Sequence, residues 1–346
     1  MQNSEFGDSA RIGAMRRCHF SISALLLAAG LAPSVLADWS LTTRGTLYYT
    51  SDASLFTASQ RLSRDADPTQ PALDTRLTGQ GSDGVLETMA QVGRTFESSV
   101  GTSALDLRGD GYVFFDHADY SNGNVAVQAK HAFPSKTTAM VRFYYNPDLF
   151  LGNNLERRSG HFQIAPEQVT SSIGAMHLAQ ELADELELRL FARYGTRRYN
   201  QDYAERNTDF WTIGPHLDWT LLPGVTLGLA YHYEKGLAAG RHQAQYEDDV
   251  SYINNFAAAD LEFELGEKFV LSFAFDYEHN DWLSHLRGDE RNGAYEQIFQ
   301  GEALLIYQAT EALSLHTGMQ HGSRKVNLEP VGVAVTNFGL GIKARF

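Results

Sequence analysis

Cysteine, basic residues and long apolar runs are all scarce in this chain of 346 residues. The one cysteine, Cys18, excludes a disulfide framework and a cysteine-based zinc site. After residue 37 no apolar run approaches the roughly 20 residues of a membrane helix, which excludes a helical membrane protein. Because 28 Lys and Arg stand against 42 Asp and Glu, the net charge is −14, and a nucleic-acid partner is not expected.

Apolar and aromatic residues, in contrast, are abundant. Hydrophobic residues make up 43% of the chain and aromatic residues 12%, including 16 Tyr and 20 Phe. Disordered chains are poor in aromatic residues, so this composition predicts a folded protein. The length allows two or three ordinary domains, although a β-barrel can use the whole chain as one domain.

The N-terminal segment has the pattern of a cleaved targeting sequence. Arg16 and Arg17 precede an apolar run over 22–32, and Val35-Leu36-Ala37 is a small-residue cleavage site. This order of charge, apolar run and small residues is typical of a secretory signal peptide. We therefore predict upstream residues and a signal peptide over 1–37, followed by one domain over 38–346.

From Trp39 onward the apolar residues recur with period 2, which is the strand signal. In the segment 224–236, for example, Val225, Leu227 and Leu229 alternate with Thr226 and Gly228. The pattern predicts an all-β fold of about fourteen strands, with twelve or sixteen as alternatives. The predicted strands are 39–50, 85–97, 102–115, 124–133, 136–146, 169–182, 185–198, 209–221, 224–236, 252–265, 268–280, 297–308, 311–323 and 333–346.

A soluble sandwich also alternates, but the connections favour a transmembrane barrel. Short connections (133–136, 182–185, 222–224, 265–268 and 309–311) alternate with long ones (51–84, 116–123, 146–168, 199–208, 237–251, 281–296 and 324–332). Short turns at one end, long loops at the other and aromatic residues near strand ends are typical of membrane barrels. The prediction is a single antiparallel transmembrane β-barrel.

The end of the chain carries the sharpest motif. Phe338, Leu340, Ile342, Ala344 and Phe346 alternate up to the final residue. This pattern resembles the C-terminal signal of Gram-negative outer-membrane β-barrels, which include the porins. The resemblance implies an outer-membrane location with both termini periplasmic, Phe346 as the signal read by the barrel-assembly machinery, and contact with outer-membrane lipid and lipopolysaccharide.

If the apolar residues face lipid, the alternate residues face the lumen, and their charges are segregated along the chain. The predicted basic lining residues are Arg108, Lys130, Arg142, Arg189 and Arg193. The predicted acidic lining residues are Asp260, Glu262, Glu264, Asp276 and Glu278. Facing walls of opposite charge in a narrow channel act strongly on polar solutes. They predict a porin-like channel for passive diffusion, unless the charges pair and close the lumen. The longest loop, 51–84, either folds inward to narrow the pore or lies over its mouth.

Two other functions stay open at this stage. One is an outer-membrane lipid-modifying hydrolase, for which His279-Asn280-Asp281, or His316 and His321 with nearby serines, are candidates. Nucleophilic catalysis needs Ser and His in contact with an orienting group, and no family signature surrounds these residues. The other is a closed scaffold barrel. We assign no catalytic residue, metal or cofactor, and the oligomeric state stays open. Arg157-Arg158, Arg197-Arg198 and Arg287 are candidates for contacts with lipopolysaccharide phosphates.

Overall fold

The computed structural model describes residues 39–61 and 80–346. The predicted signal peptide over 1–37 lies outside the described residues and stays a prediction. The strands are β1 (Trp39–Thr50), β2 (Asp83–Ser98), β3 (Gly101–Phe114), β4 (Asn122–Ala132), β5 (Thr137–Leu155), β6 (Ile164–Ala183), β7 (Leu186–Tyr199), β8 (Thr208–Leu222), β9 (Val225–Ala238), β10 (Tyr252–Leu265), β11 (Phe269–Trp282), β12 (Tyr295–Thr310), β13 (Leu313–Val326) and β14 (Val333–Arg345). One α-helix, α1 (Ala53–Arg61), follows β1, and short 3₁₀ helices occupy Ala118–Tyr120, Gln201–Arg206, Ala239–His242 and Ala244–Tyr246.

These fourteen strands form one closed antiparallel barrel in which each strand pairs with its neighbours in the chain. The barrel closes between β1 and β14, in a register from Thr42↔Arg345 to Thr50↔Asn337. Beyond the last paired residue, the backbone N–H of Phe346 donates to the carbonyl oxygen of Leu41 at 2.8 Å. The predicted antiparallel barrel and its strand number are confirmed. No helix within the described ranges is long and apolar enough to cross a membrane.

The strands place apolar residues outside and polar residues inside, because successive side chains on a strand point to opposite faces. On β1, Leu47 and Tyr49 are each 52% exposed, whereas Thr46 and Thr50 are buried against the interior. The outer apolar belt is the surface that a membrane barrel presents to lipid.

One predicted loop is largely strand. We expected 146–168 to be a loop, but β5 continues to Leu155 and β6 begins at Ile164, so this hairpin extends well past its neighbours. The pairing of β5 with β6 shifts register between Asn146 and Leu149 and again between Phe150 and Gly152. Asp148 has a φ of 46° at the first of these bulges. A bulge adds an unpaired residue and interrupts the period of 2, which is why the alternation stopped being readable at Asn146.

Helix α1 lies inside the barrel and packs on inward-facing side chains. Asp52 begins it as an N-cap, because its Oδ1 accepts from the backbone N–H of Ser54 at 3.0 Å. Phe56 packs edge-on against Tyr48 at 5.3 Å and Phe114 at 5.6 Å between ring centroids. On another side of the helix, Leu55 joins an apolar cluster whose other buried members are Leu149, Leu151, Val169 and Val335. The first part of the predicted loop 51–84 is therefore folded inward.

Candidate functional site

The inner wall of the barrel is the candidate site, and ten of its charged residues form two groups on different strands. We call Arg108, Lys130, Arg142, Arg189 and Arg193 the basic arc; they lie on β3, β4, β5 and β7. We call Asp260, Glu262, Glu264, Asp276 and Glu278 the acidic arc; they lie on β10 and β11. Strands β8 and β9 separate the arcs on one side, and five strands from β12 to β2 separate them on the other. All ten residues fall on the inward register of their strands. That they line a solute path stays a prediction.

Two members of the basic arc, Arg108 and Arg189, contact carboxylates on their own or adjacent strands, outside the acidic arc. Arg108 pairs with Asp110 on its own strand at 2.7 Å. Arg189 pairs with Glu187 at 2.9 Å and with Asp218 at 3.1 Å. These contacts follow from the sheet geometry, because inward neighbours on one strand or on paired strands are within side-chain reach.

Arg193 belongs to a buried network that the sequence did not predict. Its side chain is 3% exposed and donates to Glu234 on β9, which also accepts from Thr212 at 2.6 Å. Arg197 pairs with the same carboxylate at 3.5 Å and donates to the hydroxyl of Tyr252. We expected Arg197 to lie at the surface as a lipopolysaccharide contact. Its inward register instead buries it, with its guanidinium 4.3 Å from the ring centroid of Phe210.

The acidic arc is graded in exposure along the strands. Asp276 and Glu278 are buried, and Glu278 accepts from the side-chain amide of Asn254. Asp260 and Glu262 are partly exposed, and Glu264, nearest the short turns, is exposed. The part of the arc most open to solvent therefore lies towards the end of the barrel that carries the short connections.

Three amide side chains hold the C-terminal end of α1 against the wall. Gln300 donates through Nε2 to the carbonyl oxygen of Ser59 at 3.0 Å, and Asn337 donates through Nδ2 to its Oγ at 2.6 Å. Gln60 donates through Nε2 to Oε1 of Gln320 at 3.1 Å. We call Gln300, Gln320 and Asn337 the amide clamp. They lie on the neighbouring strands β12, β13 and β14, so the clamp fixes the helix to one side of the barrel.

A cavity of about 330 Å³ lies between α1 and the short-turn end of the barrel. Gln60 of α1 and two clamp residues, Gln320 and Asn337, line its inner end. Its charged lining residues are Arg44, Arg108, Lys343, Arg345, Glu302 and Glu311. The cavity shows that the wall below the helix is not filled by side chains, and it places water-accessible space beside charged groups.

The long connections, at the end of the barrel opposite the short turns, pack together through buried ion pairs. Arg206 pairs with Glu167 at 2.8 Å and with Asp248 at 2.6 Å. Arg291 also pairs with Asp248, at 2.8 Å. Burial alone would raise the pKa of Asp248, but the two arginines outweigh that effect and hold the pKa below its ordinary value. These pairs join the loops that follow β7, β9 and β11.

Glu205 belongs to the same loop network, but its hydrogen bonding is incomplete. Its side chain is fully buried, and one oxygen, Oε1, has no hydrogen-bond partner. The other oxygen lies 3.4 Å from Arg158. Burial raises the pKa of Glu205 to about 7, and the neighbouring Asp248 adds to the shift. Local sequence patterns do not single out this residue, because its burial depends on how four loops meet.

The histidines proposed for a hydrolase do not share a site. His279 Nε2 lies 3.1 Å from Asp281 Oδ1, but His279 is on the outward register and its ring packs on Tyr295. His316 faces inward and hydrogen-bonds Thr46 at 2.9 Å, whereas His321 faces outward and hydrogen-bonds Thr336 at 2.8 Å. Because the wall separates His316 from His321, the two cannot act on one substrate.

Comparison with known proteins supports the barrel class. No protein-family model and no curated protein matches the sequence. Among solved structures, the outer-membrane channel DcaP of Acinetobacter baumannii aligns with a TM-score of 0.53 and 9% identity over 89% of this chain and 96% of that one. An anion-selective porin from Comamonas acidovorans aligns with a TM-score of 0.47 and 9% identity over 89% of this chain and 98% of that one. OmpT of Vibrio cholerae aligns with a TM-score of 0.45 and 10% identity over 89% and 97%.

At identities this low the likeness concerns the fold alone. The chain therefore has the closed antiparallel β-barrel fold that the outer-membrane channel DcaP also has.

Proposed function

We propose that this barrel is a channel for passive diffusion of small polar or charged solutes across a bacterial outer membrane. The observation that carries the proposal is the placement of the basic arc and the acidic arc on different strands of one closed wall. Fixed charges on facing walls of a narrow channel act on solutes that pass between them.

Helix α1 and the amide clamp supply the size limit in this proposal. The helix occupies the lumen above the cavity of about 330 Å³. A barrel of this size would otherwise leave an aqueous path, since 8-stranded barrels are filled by side chains and 16-stranded porins leave a channel. An inward helix lets the barrel exclude large solutes while its wall charges select among small ones.

The balance of charge favours cations. Arg108, Arg189 and Arg193 are offset by carboxylates outside the acidic arc. We therefore expect the field of the acidic arc to be the stronger one in the lumen. Fixed carboxylates raise the local concentration of cations, and the effect weakens as salt shortens the screening length to about 3 Å at 1 M.

Conductance in planar bilayers tests the proposal directly. The purified wild-type protein should conduct in KCl and prefer K⁺ to Cl⁻ at low salt. The variant Glu262→Gln, Glu264→Gln, Asp276→Asn should fold, because these side chains face the interior and not lipid, and its reversal potential should shift towards anion preference. A matched control removes three carboxylates from the short turns instead: Asp184→Asn, Glu185→Gln, Glu267→Gln.

The outcomes separate the functions considered. Conduction with unchanged selectivity in the lumen variant would keep the channel and refute the lining assignment. A wild-type protein that inserts but never conducts would refute the channel and favour the closed scaffold. Activity on phospholipid or lipid A in a hydrolase assay would favour the lipid-modifying enzyme instead.

Both termini are periplasmic in this proposal, with the short turns on the same side. A single cysteine placed at Ser135, in a short turn, should resist an impermeant thiol reagent on intact cells. A cysteine placed at Asn292, in the long connection between β11 and β12, should react. The reverse labelling pattern would show that the barrel has the opposite orientation in the membrane.

A further inference from the structure

The cavity below helix α1 has an apolar side, although the interior of a transmembrane barrel is ordinarily polar. Val270 on β11 pairs directly with Ile306 on β12, and Leu304 lies on the same face of β12 two residues earlier. All three side chains line the cavity and are partly exposed to it. Apolar side chains that a cavity leaves uncovered are typical of a small-molecule site.

The other side of the cavity carries cations. Lys343 and Arg345 lie on β14, Arg44 on β1 and Arg108 on β3, and strand β13 separates them from the apolar side. Lys343 pairs directly with Arg44 across the seam that closes the barrel. Like charges opposite each other on paired strands repel, so an anion bound beside them would stabilise this part of the wall.

Two of these cations are held by carboxylates that lie outside the cavity. Arg44 pairs with Glu87 at 2.6 Å, and Arg108 pairs with Asp110 at 2.7 Å. The carboxylate side chains are 2% and 6% exposed, against 16% and 26% for their arginines, and neither carboxylate lines the cavity. The ion pairs therefore orient the two guanidinium groups at the cavity surface. A guanidinium has five N–H donors, so it can bond one carboxylate and a second anion together.

Two carboxylates also line the cavity, and both lie at its ends. Glu302 is beside the amide clamp, where it accepts from Nε2 of Gln320 at 2.6 Å. Glu311 lies in the short turn between β12 and β13. Between these ends the basic residues and the apolar residues share one space.

We propose that this cavity binds a small amphiphilic organic anion, with one carboxylate on an apolar ring or short alkyl body. The carboxylate lies towards Lys343, Arg345 and Arg44, and the apolar body packs on Leu304 and Ile306. The volume of about 330 Å³ is at the lower end of the range for small-molecule pockets, which limits the body to about one ring. The inference deepens the proposed channel function and rests on it for the ligand's role as a solute, but binding itself needs no conduction.

Both halves of the ligand contribute to affinity. Charge-assisted hydrogen bonds hold the carboxylate, and burial of the apolar body adds a contribution that acetate cannot make. An alcohol with the same ring lacks the charge. Chloride has no apolar part, so the site is compatible with the preference for K⁺ over Cl⁻ proposed above.

Equilibrium binding of benzoate tests the inference. The wild-type barrel in nanodiscs of zwitterionic lipid is titrated with para-fluorobenzoate and followed by fluorine NMR, with empty nanodiscs as the blank. Benzoate should displace the fluorinated ligand. Acetate and benzyl alcohol should each bind more weakly by about tenfold or more.

Variants on the two sides of the cavity separate charge from apolar contact. Lys343→Gln, Arg345→Gln should weaken benzoate binding by about tenfold or more. Lys343→Gln alone should show a smaller loss, and it serves if the change beside Phe346 lowers assembly. Ile306→Thr should weaken benzoate about fourfold and leave acetate unchanged.

The matched control is Arg287→Gln, Lys325→Gln, which removes two charges from exposed positions outside the cavity and should bind as the wild type does. Benzoate that binds no better than acetate, or equally well to the wild type and the basic double variant, would overturn the site. Specific benzoate binding by a barrel that does not conduct would keep the site and refute the channel. Conduction without benzoate binding would keep the channel and refute the site.

Discussion

Arg193 and Glu234 form an ion pair on the inner wall of the barrel, with both side chains almost completely buried. The carboxylate is shared, because Arg197 pairs with it at 3.5 Å and the hydroxyls of Thr212 and Tyr252 donate to it. Taking charges out of water costs several kcal/mol per ion, and only complete pairing and hydrogen bonding offset that cost. Glu234 is therefore the residue on which two buried arginines depend.

Replacing Glu234 with Gln should destabilise the barrel by about 3–5 kcal/mol, because it leaves buried positive charge without its carboxylate. The free energy of unfolding in urea, measured in micelles of fixed composition, gives the change. Glu187→Gln is the matched control: its pair with Arg189 is partly exposed, and loss of such a pair costs about 0–1 kcal/mol. Equal effects of the two substitutions would show that Glu234 has no special role.

The amide clamp should control how far α1 narrows the lumen. The double variant Gln300→Ala, Asn337→Ala removes both hydrogen bonds to Ser59. We expect larger and noisier single-channel currents, because only the hydrogen bond from Gln60 to Gln320 then holds the C-terminal end of the helix to the wall. Gln297→Ala is the control, since Gln297 lies on the same strand but bonds Tyr277 on the outer face at 3.1 Å. Unchanged currents in the clamp variant would mean that α1 does not limit conduction.

The sequence predicted the barrel well because strand period and turn spacing are local properties. The same alternation predicts Arg193 and Asp276 as lining residues, and their place on a solute path stays a prediction. Alternation could not show which inward groups would meet. The pairing of Arg193 with Glu234 depends on the register of β7 against β8 and of β8 against β9, which is fixed by the whole barrel.

Two other features were beyond sequence reasoning for physical reasons. Helix α1 lies in a loop whose composition predicts neither an inward nor an outward position. Its inward position rests on the apolar clusters that Leu55 and Phe56 form with residues distant in the sequence. The long hairpin of β5 and β6 was hidden by its bulges, which break the period of 2 where Pro147 and Asp148 occur.

Glu205 should make the long connections sensitive to pH. Its folded-state pKa of about 7 is above its ordinary value of 4.5, so the folded loops bind a proton that the unfolded chain releases. Stability of the loop network should therefore fall as pH rises from about 4.5 to 7, and then level off. Hydrogen exchange of residues 200–208 at pH 5 and pH 8 measures this difference.

Glu205→Gln should remove that dependence, since the amide stays neutral throughout. Asp248 does not confound the result, because its pKa is lowered and its contribution is lost only at lower pH. Wild-type loops that exchange equally at both pH values, after correction for intrinsic exchange rates, would contradict the assignment to Glu205.

The last residue should matter for assembly through its side chain. Phe346 closes the barrel with two backbone hydrogen bonds to Leu41, at 2.8 and 3.0 Å, and its ring is 56% exposed on the outer face. A ring so exposed contributes little packing within the barrel, which leaves it accessible to the assembly machinery that we propose recognises it. Phe346→Ala keeps both backbone bonds and should lower the amount of folded barrel in the outer membrane. Phe346→Trp keeps an aromatic ring and should restore it.

Quantitative heat-modifiable migration of membrane fractions distinguishes the two variants, with urea-refolded protein as the reference for intrinsic stability. If Phe346→Ala refolds as the wild type does in vitro but is depleted in cells, the ring acts in recognition. Equal abundance of wild type and Phe346→Ala in the membrane would refute that role, and equal losses in vitro and in cells would assign Phe346 to stability alone.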